Sequence, residues 1–233
     1  GPDGRVIPFG NNRREHCGMK ERTQKLVEGF FDRWPALALG RDAILKAYEM
    51  ILTTYRAGGK LLLCGNGGSC ADCDHIVGEL MKGFLLRRPL TDGQKDAFVK
   101  AGGERGAQIA KKLQQGLPAI ALSAHPALVT AFMNDVDPDL IYAQQVIGYG
   151  RPGDLLIGVS TSGNAKNVAA AVIAARAAGV ATLGLSGRDG GELARLCDEC
   201  LVMPEHETYR IQEYHIAVYH LLCAAVESEL FEH

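Results

Sequence analysis

The chain has 233 residues, with 25 Lys+Arg against 27 Asp+Glu for a formal net charge of -2, and 47% of it is hydrophobic. That composition can bury the core of one large α/β domain. It carries no basic excess of the kind a dedicated nucleic-acid binder needs for phosphate contacts, but it leaves a small anionic ligand open.

No apolar run approaches the roughly 18 residues of a membrane helix. Seven cysteines (Cys17, Cys64, Cys70, Cys73, Cys197, Cys200 and Cys223) are an odd set without a secretory signal, and are expected as reduced thiols in a cytoplasmic protein. Residues 1–18 show no hydrophobic pattern and are expected to be an added or disordered leader, with one domain running from Met19 to the end.

In chain order, apolar spacings of three and four predict helices over 20–34 (Leu26, Val27, Phe30, Phe31) and 41–55 (Ile44, Leu45, Tyr48, Ile51, Leu52), stopped by Ala57-Gly58-Gly59. Short apolar runs then alternate with helices. Strands are predicted at 60–64, 118–123, 154–160, 180–186 and 199–203, and helices at 70–85, 126–132, 139–149, 165–178, 192–195 and 207–230. Runs such as Leu61-Leu62-Leu63 are apolar on both faces, as central strands of a covered parallel sheet are. The alternation predicts an open, doubly wound α/β sheet of five mainly parallel strands flanked by helices. Residues 87–116 interrupt it: polar, broken by Asp92-Gly93 and Gly102-Gly103, they read as a small helical insertion over 94–100 and 106–115. A solvated helical hairpin is the expected form and a functional lid the alternative.

Two loops follow predicted strands, where open α/β sheets bind ligands. Cys64-Gly65-Asn66-Gly67-Gly68-Ser69 leads into a helix, whose first N–H groups are unpaired. It matches neither the dinucleotide pattern, which needs a Gly at position 70, nor the P-loop, whose Lys is missing. Ser160-Thr161-Ser162-Gly163-Asn164 offers three successive hydroxyls at a helix start, a neutral cradle for a phosphate monoester. A helix cap needs one hydroxyl, so three favour binding. Asn134-Asp135 alone is an ordinary turn signal.

His75 and Glu79, four apart, share a helix face. Gln212 and His220 lie eight apart on the last helix, roughly 80° different in azimuth and about 12 Å along the axis. Glu213 lies seven before His220, roughly 20° away, and is a rival partner. Each pair has a plain reading as surface or core, so spacing assigns no site.

Taken together and in order, Asn66-Gly67-Gly68-Ser69, His75, Glu79, Ser160-Thr161-Ser162-Gly163-Asn164, and Arg210-Ile211-Gln212-Glu213 with His215 and His220 resemble the bacterial phosphoheptose isomerases, built on the sugar isomerase (SIS) fold. The resemblance covers about 58–85 and 118–230, and Gly187-Arg188-Asp189-Gly190-Gly191 adds to it. Ala165, Tyr209 and Lys82-Gly83 depart from residues frequent in that family.

The resemblance implies aldose–ketose isomerisation of a sugar phosphate, sedoheptulose 7-phosphate being the family substrate, in a homotetramer with shared active sites. It places zinc on His75, Glu79, Gln212 and His220, the acid/base pair on Glu79 and His220, and substrate contacts on Asn66, Gly67, Gly68, Ser69, Asn134, Asp135, Ser160, Thr161, Ser162 and Gln212. These types suit the chemistry: a carboxylate can carry a proton between adjacent carbons, an imidazole can serve the oxygens near neutral pH, and a zinc ion polarises a carbonyl. The apolar first helices are expected to supply subunit contacts. The alternative function is a non-catalytic SIS module that senses sugar phosphate or binds a partner, which would need the hydroxyl cradle but no acid/base pair. A further reading makes Cys70-x-x-Cys73 and Cys197-x-x-Cys200 a structural zinc site or reactive thiols, against the default of buried, inert cysteine.

Overall fold

A computed structural model describes residues 18–232, so most of the expected leader lies outside the described residues. Helix α1 (Glu21–Arg33), a 3-10 turn (Pro35–Gly40) and α2 (Arg41–Arg56) precede the sheet. Then come β1 (Leu61–Gly65), α3 (Gly68–Met81), α4 (Asp92–Ala110), β2 (Ala119–Ala121), α5 (Pro126–Asp135), a 3-10 turn (Pro138–Leu140) and α6 (Ile141–Tyr149). The chain closes with β3 (Leu155–Val159), α7 (Lys166–Ala177), β4 (Ala181–Gly187), α8 (Leu193–Leu196), β5 (Glu199–Met203) and α9 (Thr208–Leu230).

All five strands are parallel in the order β2-β1-β3-β4-β5. Because strand side chains alternate, Leu61, Leu63, Leu155 and Ile157 face a core shared with α1, α2, α3 and α9, while Leu62, Cys64 and Leu156 face one shared with α6 and α7. At Gly158 of β3 a Cβ would stand 2.9 Å from Val168, so α7 seats directly on the strand there. The chain leaves β1 toward β2 and re-enters on the other side at β3, which makes the β1/β3 ends the crevice of a doubly wound sheet. No helix among the described residues is long and apolar enough to cross a membrane.

Several expectations need revising. The apolar faces of α1 and α2 are not free for subunit contacts: Val27, Phe30, Phe31, Ile44, Leu45, Ile51 and Leu52 are buried in the chain's own core. Exposed large apolar residues include Leu128, Met133, Ile147 and Ile173 on α5 to α7, and others such as Leu39, Met81 and Ile109 lie elsewhere in the chain. Helix α3 begins at Gly68 because Gly67 turns the chain with φ +57°, and it ends at Met81 because Lys82 is extended. The insertion is two helical arms of α4 broken at Gly102–Gly103, closed at its neck by a Pro89–Gln114 bridge. Its first residues are not all solvated: Arg88 and Leu90 are buried, while Arg87 and Pro89 are exposed.

The cysteine pairs sit in different layers, Cys73 in the α3/α9 core and Cys197 and Cys200 in the α6/α7 core, so they do not form one zinc site. Burial pushes the thiols of Cys197 and Cys200 up to about 12 and about 11 and that of Cys73 well above its usual range, which fits inert cysteine.

Candidate active site

The loops after β1 and β3 lie side by side, Gly65 being in register with Val159. Asn66 and Asn167 exchange amide hydrogen bonds of 2.8 and 3.0 Å, and the Tyr142 hydroxyl donates to the Gly65 carbonyl at 2.7 Å, tying the first loop to α6 and α7. Neither α3 nor α7 is capped by a side chain; their N-cap positions are Gly67 and Ala165. The Ser160–Ser162 hydroxyls are thus not spent on capping α7, although Ser162 Oγ accepts the Asn164 N–H at 3.2 Å. The two uncapped helix starts follow neighbouring strand ends, with Ser69 and Ser160 buried and Thr161 and Ser162 half-buried. Such an arrangement attracts an anion through backbone N–H groups and helix dipoles.

Helices α3 and α9 run side by side with the same polarity. At their N-terminal ends the Gln212 amide covers Gly68, where a Cβ would meet Gln212 Nε2 at 2.4 Å. Further along, His75 Nε2 stands 3.1 Å from Glu79 Oε1 and 3.3 Å from His220 Nε2. These three side chains present ligand atoms all within 4.8 Å of one another, and all belong to one chain. The other nitrogen of His75 meets the Tyr219 hydroxyl at 3.0 Å, which in turn meets Asp72 Oδ1 at 3.0 Å.

A proton count bears on what this group can hold. The contacts from Asp72 through Tyr219 and His75 to Glu79 need three protons, whereas a tyrosine and a neutral imidazole between two carboxylates bring two. The line closes with one further proton or with a cation between His75 and Glu79. Glu79 Oε2 is in addition buried without a hydrogen-bond partner, with Lys82 Nζ 3.6 Å away. Two imidazole nitrogens and a carboxylate in this position can hold a divalent metal ion, and a partner on the far nitrogen of His75 is what metal-binding histidines commonly have. Burial and the adjacent His75 lower the His220 pKa, with Glu79 opposing. Burial raises that of Asp72 against the pull of Tyr219.

The expected site residues therefore fall into two groups and an outlier. Asn66, Gly67, Gly68 and Ser69 follow β1 and Ser160, Thr161 and Ser162 follow β3 on neighbouring loops, and His75, Glu79 and His220 converge further along α3 and α9. Gln212 stands at Gly68, and Glu213, the rival partner, is exposed. Asn134 and Asp135 are in the last turn of α5, exposed and hydrogen-bonded to each other at 2.9 Å. Sequence reasoning missed Asn167, Tyr142, Asp72, Tyr219 and Arg88. Asp72 stands three before His75 on one helix face, a spacing that was open to reading; the others depend on contacts across the fold.

Two SIS domain models match the chain, over residues 36–101 and 97–226. Phosphoheptose isomerase from Roseiflexus sp. is 43% identical over 81% of this chain and 83% of its own length. That from Trichlorobacter lovleyi is 42% identical over 78% and 80%. The chain belongs to the phosphoheptose isomerase family. Among solved structures, phosphoheptose isomerase from Neisseria gonorrhoeae superposes with a TM-score of 0.66 at 32% identity, covering 89% of this chain and 92% of that one. Membership in the phosphoheptose isomerase family accords with the five-stranded parallel sheet flanked by helices.

Proposed function

We propose that the chain isomerises a sugar phosphate between ketose and aldose, with sedoheptulose 7-phosphate as substrate and a heptose 7-phosphate as product. The observation that carries this reading is the meeting of His75, Glu79 and His220 on the same two helices whose N-terminal ends border an uncapped anion crevice. Gly68 and His75 are seven residues apart on α3, about 10 Å along the axis, a span suited to a seven-carbon chain with phosphate at one end and carbonyl at the other.

In this reading Ser69, Ser160, Thr161 and Ser162 hold the phosphate, with the N–H groups of the α3 and α7 starts, and Asn66, Asn134, Asp135 and Gln212 orient the sugar hydroxyls. The Glu79 carboxylate removes the proton on C1 and returns it to C2 of the resulting enediolate. Through the ring nitrogen that an ion would leave free, His220 gives a proton to O2 once the enediolate has formed, and takes the proton from O1 as the aldehyde forms. Bound to His75, Glu79 and His220, with Gln212 proposed from the resemblance as fourth ligand, zinc would polarise the carbonyl and stabilise the enediolate charge. The family resemblance supports a cytoplasmic homotetramer with shared sites, and exposed apolar residues such as Leu128, Met133, Ile147 and Ile173 are available for subunit contacts.

The test is a metal analysis joined to isomerase assays of wild type and Glu79→Gln over heptose, hexose and pentose phosphates. Wild type is expected to carry zinc, to sediment as a tetramer and to turn over the heptose phosphate best. Glu79→Gln should lose activity by at least about a hundredfold, the usual scale of an acid–base group. Binding without turnover by the zinc-loaded wild type would instead mark a sugar-phosphate sensor.

A further inference from the structure

Arg88 combines three features that rarely meet. Its side chain is fully buried, its backbone lies in the left-handed region at φ +48°, and it pairs with Glu227, also fully buried, at 2.6 Å. A buried ion pair is a weak source of stability compared with apolar packing, and a left-handed non-glycine residue is strained. Its geometry gives it another use. The guanidinium donates from Nη1 to the Leu80 carbonyl at 2.6 Å and from Nη2 to the Glu79 carbonyl at 3.1 Å, the open end of α3. Its Nε donates to Glu227 Oε1, and its plane lies 4.7 Å from the Phe231 ring.

Glu227 stands seven residues after His220 on α9, two turns on and roughly 20° around, hence on the same face. Its carboxylate also accepts the N–H groups of Phe84, Leu85 and Leu86 at 2.8, 2.7 and 3.1 Å. This fixes the segment that carries Phe84 against the His220 ring, with centroids 5.5 Å apart. One ion pair thus joins the backbone of Glu79, the helix of His220 and the wall beside His220.

We propose that Arg88 and Glu227 are positioning residues that set the placement of Glu79 relative to His220, and through it both proton transfer and the affinity of the three-donor group for zinc. This rests on the reading of Glu79 and His220 as the working pair. Arg88→Lys keeps the charge but cannot span the Glu79 and Leu80 carbonyls and Glu227 at once. The double variant Arg88→Met/Glu227→Leu replaces the pair with apolar groups, a change that folds often tolerate.

Folded Arg88→Lys and the folded double variant are each expected to keep the wild-type KM for the sugar phosphate within about twofold. Their kcat and their zinc affinity, measured by calorimetric titration of metal-free protein, should fall by about tenfold or more, the usual effect of losing support behind a metal ligand. A variant with lower melting temperature but wild-type kcat and zinc affinity overturns the proposal, and so does failure of both variants to fold, since either outcome makes the pair purely structural. Glu79→Gln assayed alongside separates the two claims. Wild-type activity there removes Glu79 from the working pair, while the zinc titrations still decide the role of Arg88 and Glu227.

Discussion

At Gly68 one missing methyl group carries a consequence. The residue is helical, so alanine strains no backbone, but its Cβ would fall 2.4 Å from Gln212 Nε2. The amide is the end of a flexible side chain and can move aside. Gly68→Ala should therefore stay within about 1 kcal/mol of wild type in stability while displacing Gln212. Its kcat/KM is expected to fall as far as that of Gln212→Ala, and the double variant should be no worse than either single change, because both remove one contact. Additive losses in that cycle would show that Gly68 and Gln212 act separately. The need for glycine there was not legible in the sequence, which offers only a Gly-rich turn. His75 and Glu79, by contrast, were legible as a pair because helix geometry alone brings residues four apart together. Arg88 was misread as polar surface. Nothing local marks an arginine as buried when its counter-charge, Glu227, lies 139 residues away.

At the scale of elements, the helix starts matter more than the strands. Ala165 leaves the first turn of α7 without a side-chain acceptor although its backbone, φ -67° and ψ 116°, suits a capping residue. Ala165→Asp should cap the helix and raise stability by about 1 kcal/mol. The same carboxylate would occupy and repel where an anion binds, so the affinity for inorganic phosphate or sugar phosphate should drop by about tenfold or more. Calorimetry with phosphate, together with a melting curve, checks both directions. A variant that is more stable and binds as tightly as wild type would remove the α7 start from the anion site. The strand ends themselves came close to expectation because parallel strands buried on both faces leave a continuous apolar run. The ends of α3 did not, since Gly67 and Lys82 set them through backbone angles that composition does not display.

At the scale of the whole molecule, His215 is a buried group that links folding to mildly acidic pH. It is fully buried on α9, its Nε2–H donates to the Ser186 carbonyl at 3.0 Å, and its Nδ1 has no partner. Burial lowers its pKa from 6.5 to about 4. Between those values the unfolded chain binds more protons than the native one, so stability rises with pH. The contribution is complete above about pH 6.5 and is lost as pH falls toward 4, at most about 3 kcal/mol. Unfolding free energies of metal-free wild type should therefore drop between pH 6.5 and 4.5 more steeply than those of His215→Gln, which keeps a donor for Ser186 but does not titrate. Equal slopes would show that His215 does not govern the acid limit.

The sequence by itself determined the α/β alternation, the parallel sheet, the two ligand loops and the His75/Glu79 pair, because each is written in local periodicity or in a short run of residues. Order and motif together also carried the family resemblance. Tertiary structure alone decided that the β1 and β3 loops share one crevice, since strand order is a property of pairing between distant segments. It likewise decided that His220 meets His75, that Gln212 and not the exposed Glu213 stands against α3 at Gly68, and that Tyr219 and Asp72 stand behind the His75 imidazole. A helix specifies which residues share its face, but not which neighbouring helix that face will meet. Only the packing of α3 against α9 supplies that information, and the Arg88–Glu227 pair lies where the two helices are joined.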